Sequence, residues 1–191
     1  MIAEIGHYFL ITALVLAVVQ ATVPLWGAAR GATGLMAVGE RTAIAQAATL
    51  LIAFAALTHG FVTSDFSLKV VFQNSHSLKP MLYKVSGVWG NHEGSMLLWV
   101  LVLALFSAAV AICGRNLPPT LKARVLGIQA MISFAFLTFI ILTSNPFARL
   151  SPPPPDGTGL NPLLQDPGLA FHPPLLYLGY VGFSMAFSFA L

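Results

Sequence analysis

The sequence predicts an all-α fold: a polytopic transmembrane helix bundle of about five spans, with extracytoplasmic loops. Three observations lead there. The 191 residues are 57% hydrophobic and only 8% charged, against ~25% charged in soluble domains. The mean hydropathy is +0.83. Apolar runs free of Asp, Glu, Lys and Arg recur along the chain, each long enough to cross ~30 Å of hydrocarbon as a helix.

The first run, 5–27, follows Glu4 rather than a basic segment and has no small-residue cleavage site after it. It reads as a retained span and not as a signal peptide. Pro24 and Trp26 sit near its end, and Trp suits an interface. Gln20, inside it, reads as a hydrogen bond to a neighbouring helix. A short loop, 28–42, carries Arg30, Glu40 and Arg41. The second span covers 43–63, with Gln46 as its polar point.

The stretch 65–95 is polar, with a short strand at 70–72 and a turn at Ser75 to Pro80. The third span, 96–113, begins as an interfacial helix within 89–99. A basic turn, 114–125, leads to the fourth span, 126–144, which Asn145-Pro146 ends. The outer loop 145–173 holds four consecutive prolines, Pro152 to Pro155, a stiff stretch. Asp156-Gly157 and Asp166-Pro167-Gly168 read as turns. The fifth span covers 173–191.

Basic residues orient the chain. Loops 28–42 and 114–125 hold five Lys/Arg, and the opposite segments hold four in more than twice the length. The short basic loops therefore face the cytoplasm, and the N-terminus with loops 65–95 and 145–173 faces away from it. The net charge of +3 follows from this loop bias and does not indicate nucleic acid. Cys113, the one cysteine, excludes an internal disulfide and a cysteine-rich metal site, and reads as a small apolar residue at the inner helix end. The spans lack ionisable residues at their centres, which argues against ion transport by this segment.

All five histidines (His7, His59, His76, His92, His172) lie on the outer side or at outer ends of spans. Metal binding and titration near neutral pH are both open to them. So is the simpler reading, that the longer outer loops collect more polar residues.

The densest chemistry is at 89–99, where two of the three tryptophans, a histidine, a carboxylate and two glycines meet. If helical, Trp89, His92, Glu93, Met96 and Trp99 share one face, with Gly90 and Gly94 beside it, where another helix can approach. Trp89 and Trp99 read as interfacial anchors or as a porphyrin platform. Met96 reads as a core methionine before a second iron ligand.

His172 is the sharpest single residue. It precedes Pro173-Pro174, which pushes its backbone to extended geometry and places Pro in the first turn of the helix that follows. Phe171, Leu175, Leu176, Tyr177 and Tyr180 surround it in sequence. That suits an axial ligand to a porphyrin at the membrane surface, and a structural histidine equally.

The run from Gly87 through Trp89-Gly90-Asn91-His92-Glu93-Gly94-Ser95 to Trp99, the run Gly159 to Gly182 around Phe171-His172-Pro173-Pro174, and Glu4-Ile5-Gly6 resemble signatures of the CcmF-like haem lyase family of cytochrome c maturation. The haem lyase of nitrite reductase assembly is a close relative. The resemblance covers essentially all of 1–191. It implies a haem-handling subunit of the bacterial inner membrane, or of the mitochondrial one. Such a subunit takes a transient b-type haem from a periplasmic haem chaperone and acts with other maturation subunits. It promotes thioether attachment to the Cys-x-x-Cys-His motif of apocytochrome c. His172 matches the first of the family's two outward histidines, and Trp89, His92 and Trp99 then form the rim of the outer haem chamber. The family's tryptophan-rich segment, second outward histidine and membrane histidines have no counterpart in 1–191. The chain is therefore expected to be an N-terminal portion, inactive as a lyase alone. Rival readings are a membrane scaffold that binds nothing and a small-molecule transporter.

Overall fold

The structure is a computed structural model that describes residues 1–191, apart from the side chain of residue 169. It contains seven α-helices. Four are long and apolar enough to cross a membrane: α1 (Ile2–Arg30), α2 (Thr33–Val62), α5 (His92–Cys113) and α6 (Pro119–Thr143). The fifth expected span falls in α7 (Pro167–Ala190), which packs against α5 and α6. Two short helices, α3 (Lys69–Asn74) and α4 (Met81–Ser86), lie in the loop between α2 and α5. The chain is an integral membrane protein.

The bundle is built on small residues. The buried side of α1 carries Ala3, Gly6, Ala13, Ala17, Ala21 and Gly27. The buried side of α2 carries Gly39, Ala43, Ala47, Ala53, Ala56 and Gly60. Without a hydrophobic gradient between lipid and helix, close backbone approach and interhelical hydrogen bonds supply the adhesion. The amide tie expected for Gln20 is present, and two further glutamines make others. Gln20 Nε2 donates to the Leu126 carbonyl at 3.0 Å, and Gln46 Nε2 to the Ala13 carbonyl at 3.3 Å. Gln129 Nε2 donates to the hydroxyls of Ser184 at 3.0 Å and Ser188 at 2.9 Å, which joins α6 to α7.

At one end the helices meet in a basic cluster, where the buried Lys122 donates to the Ala111 carbonyl at 2.8 Å and pairs with Glu40 at 3.1 Å. Trp26 is half exposed there, with the Arg30 guanidinium 4.2 Å from its ring centre. Cys113 is exposed at this end of α5.

At the other end the two long loops fold onto each other. Lys69 N–H donates to the Ala148 carbonyl at 2.9 Å and Leu150 N–H to the Ser67 carbonyl at 2.8 Å. Thr158 N–H donates to the Phe72 carbonyl at 2.8 Å and Gly159 N–H to the Ser75 carbonyl at 3.0 Å. Arg149 contacts both Glu4 and Ser67.

Three expectations are corrected here. Residues 70–72 are helical within α3, not a strand. Three apolar residues carry no period to separate the two, and Val70 and Val71 are both buried. The loop 28–42 is almost all helix, because Gly31, at φ 67°, closes α1 in a left-handed turn and α2 starts two residues later. Asp166-Pro167-Gly168 is a helix start. The Asp166 carboxylate accepts from Gly168 N–H at 2.8 Å, and Pro167 takes the first helical position, where no N–H is needed.

Candidate functional site

The stretch 89–99 is two structures joined at an asparagine. After α4 the chain makes tight turns in which Trp89 N–H and Gly90 N–H both donate to the Ser86 carbonyl. Asn91 then adopts an extended backbone, and its side-chain oxygen accepts from Gly94 N–H at 2.7 Å, capping α5. Its amide nitrogen reaches back to the carbonyls of Gly87 at 2.7 Å and Val88 at 3.1 Å. One side chain thus ends the turn and starts the membrane helix, with Glu93 favourably placed in the first turn.

Trp89 therefore does not share a helix face with His92 and Trp99, because the chain breaks at Gly90-Asn91. The glycines also serve a nearer partner than another helix. A Cβ on Gly94 would run into the Val88 carbonyl, and one on Gly90 would sit 3.3 Å from both Leu160 Cδ1 and the Ser86 carbonyl.

His172 lies inside α7, a helix that begins at Pro167, and not in an extended segment before it. The two prolines remain helical because one freed carbonyl has a new donor. Pro174 has no N–H, so the Ala170 carbonyl loses its helical partner. Trp89 Nε1 donates to that carbonyl at 2.8 Å. Ala170 is buried, and an unmet carbonyl there would cost ~1–3 kcal/mol. The two motifs are locked together by this bond. The imidazole of His172 is exposed and has no hydrogen-bond partner among the described residues.

Between the motifs is a cavity of about 350 Å³, lined by Ser86, Trp89, Gly90, Asn91 and His92 from one side and by Leu160, Leu164, Pro173 and Tyr177 from the other. Trp99 lies beneath it in an aromatic cluster, 5.3 Å from the Tyr177 ring and stacked on Phe136 at 5.9 Å. Trp89 and Trp99 are thus partly buried packing residues, not free interfacial anchors. His92 is exposed, with Nε2 2.9 Å from the Ser144 hydroxyl and its ring edge-on to Phe139. Met96 packs against the core. His7 is 3.1 Å from the Asn145 amide and stacks on Phe147. His76 sits 3.5 Å from Asp156, and His59 lies exposed at the end of α2.

Sequence reasoning does not single out the lining residues Leu160 and Leu164 or the acceptor Ala170. Pro174 is the available signal, because it releases the carbonyl four residues earlier.

Asp156 ties the loop 145–165 to the turn at Ser77. Its carboxylate accepts from the Ser77 hydroxyl at 2.6 Å and Ser77 N–H at 3.0 Å, and from its own neighbour Gly157 N–H. These bonds, led by the Ser77 hydroxyl, pull its pKa down from 3.8 to about 2. The folded value is the lower one, so the unfolded chain binds more protons between the two. The stabilisation is complete above pH 3.8 and is lost as pH falls to about 2. In an acid melting series, Asp156→Asn should remove the part of the pH dependence that falls in this window.

Comparisons with known proteins place this geometry. A family model described as cytochrome C assembly protein matches residues 89–191. The chain is 65% identical, over its whole length, to the cytochrome c-type biogenesis protein ccl1 of Rhodobacter capsulatus, of which it covers 29%. It is 49% identical to the cytochrome c-type biogenesis protein CcmF of Escherichia coli and 42% identical to NrfE of Haemophilus influenzae, again over its whole length and 30% of each. The fold matches a solved cytochrome c heme lyase CcmF with a TM-score of 0.85, at 24% identity, over 98% of this chain and 29% of that one. The chain spans less than a third of the length of these relatives. By the family model and these identities, the chain belongs to the cytochrome c assembly protein family.

Proposed function

We propose that the chain is the haem-receiving part of a membrane haem lyase for c-type cytochromes. In this reading the loop end of the bundle faces the periplasm. It receives haem from a haem chaperone and presents it, with other maturation subunits, to apocytochrome c. The observation that carries the proposal is the cavity shared by the two motifs, whose lining includes Pro173, the chain neighbour of the exposed His172.

The residues suit the group. Trp89, Leu160, Leu164, Pro173 and Tyr177 offer a mainly apolar and aromatic wall, and a neutral imidazole is a haem-iron ligand. A cavity of about 350 Å³ would take only an edge of a porphyrin, leaving the remainder to other parts of the lyase. His172 would hold the iron, Trp89 and His92 would form the rim, and Trp99 would support the wall through Tyr177. The haem supplies vinyl groups, across which the S–H of each reduced cysteine adds. This chain's contribution is then orientation, which alone can be worth several powers of ten in rate.

Filling the cavity tests the proposal. Leu164→Trp places a larger ring in the lining without touching His172, Trp89 or the Asn91 cap. Cytochrome c yield should fall by about tenfold or more, as expected when a pocket loses its shape, with the protein still present in the membrane. An unchanged yield would mean that haem does not use this cavity.

A further inference from the structure

A second cavity of about 340 Å³ lies on the other side of Leu160, whose side chain lines both. Lys79, His76, Leu78, Thr158 and Gln165 also line it. Lys79 is nine-tenths buried. Its ammonium donates to the Asn74 carbonyl at 2.9 Å, and a lysine carries three such donors. Among the described residues no carboxylate lies within ion-pair distance of it. The nearest cation, Lys84, donates to the Ser64 hydroxyl. Asp156, on the His76 side, has its oxygens engaged by Ser77, Gly157 and His76.

A buried ammonium without a counter-charge is costly. Burial, reinforced by Lys84, pulls its pKa down to about 8, so it remains charged at neutral pH. The cavity therefore presents a positive charge and an amide beside an apolar chamber, while His76 is engaged by Leu78 N–H and Asp156. That arrangement fits an amphipathic ligand whose apolar body lies over Trp89 and whose acidic arm passes Leu160.

We propose that Lys79 forms a carboxylate subsite that takes an acidic side chain of the porphyrin. The subsite rests on the haem reading of the neighbouring cavity.

The test uses the membrane protein purified in detergent, titrated at pH 7 with ferric protoporphyrin IX and with its dimethyl ester, whose carboxylates are blocked. The wild type should prefer the free acid by about tenfold, the scale of one charge-assisted hydrogen bond. Lys79→Met should abolish that preference and leave the affinity for the diester unchanged, which also reports that the variant is folded. Lys79→Arg should keep the preference. If Lys79→Met does not accumulate, Lys79→Gln takes its place with the same expectation. The same preference in the wild type and the neutral variant would overturn the subsite.

If the wild type binds neither porphyrin, the haem reading fails, and glutarate then judges the subsite separately. A rise in melting temperature with glutarate in the wild type, absent in Lys79→Met, would support a carboxylate site for another acid. No rise in the wild type would overturn it.

Discussion

His172→Ala is expected to remove haem coordination at the outer surface and to lower cytochrome c yield by about a hundredfold, the loss typical of a positioning group in an assembled site. The protein itself should accumulate normally. The side chain is exposed and makes no hydrogen bond among the described residues, so its removal leaves neither a cavity nor an unmet polar group. Surface changes of this kind usually fall within ~0.5 kcal/mol. Haem absorbance of the purified protein, cytochrome c yield and the protein's melting temperature separate the two effects. The expected pattern is loss of the first two with the third unchanged. His92→Ala is the useful comparison. His92 is held by Ser144 and Phe139, so its substitution should lower stability more and yield less.

The second large effect is on folding. Gly94→Ala forces a methyl group against the Val88 carbonyl. That atom is backbone, held by the Asn91 side chain that also caps α5. The strain cannot be relieved by a rotamer change. Either the cap opens or the turn carrying Trp89 moves, and the Trp89–Ala170 bond is lost with it. The cost should exceed ~3 kcal/mol, beyond the usual range for overpacking. Little folded protein should reach the membrane. Gly179→Ala, where an added Cβ has nothing within 4 Å, is the control and should accumulate like the wild type. Equal accumulation of the two variants would show that the 87–94 turn does not have the rigidity described here.

Much of the bundle is legible in the sequence because a membrane leaves few options. An amide inside an apolar run must find a partner in a neighbouring helix, and Gln20 and Gln46 both do. Charge-free runs of sufficient length mark every long helix. The helix ends are harder. Gly31 reads as one loop glycine among several, although it closes α1 and shortens the first connection to two residues. The unexpected helical setting of His172 has the same origin. A proline pair normally signals a boundary, because each proline removes a hydrogen bond that the helix needs. Here the indole of Trp89, 81 residues earlier, satisfies the freed carbonyl. No local pattern encodes a partner so distant.

The candidate site is legible in its residue types and not in its assembly. Trp89 and His172 stand out as chemistry, but their connection runs through a backbone carbonyl at Ala170, a position with no functional side chain. The buried lysine is hidden for a similar reason. In sequence Lys79 is one of three lysines in a polar loop, and only the fold of 145–165 over that loop buries it.

The central claim is that His172 supplies an iron ligand to a haem whose edge lies in the cavity between the two motifs. Ligand rescue tests it most directly. His172→Gly leaves space at the surface of α7 for a free imidazole. The account predicts that the variant, purified with haem, loses the spectrum of the wild type and regains it on titration with imidazole. A variant whose haem spectrum matches the wild type before imidazole is added would contradict the claim.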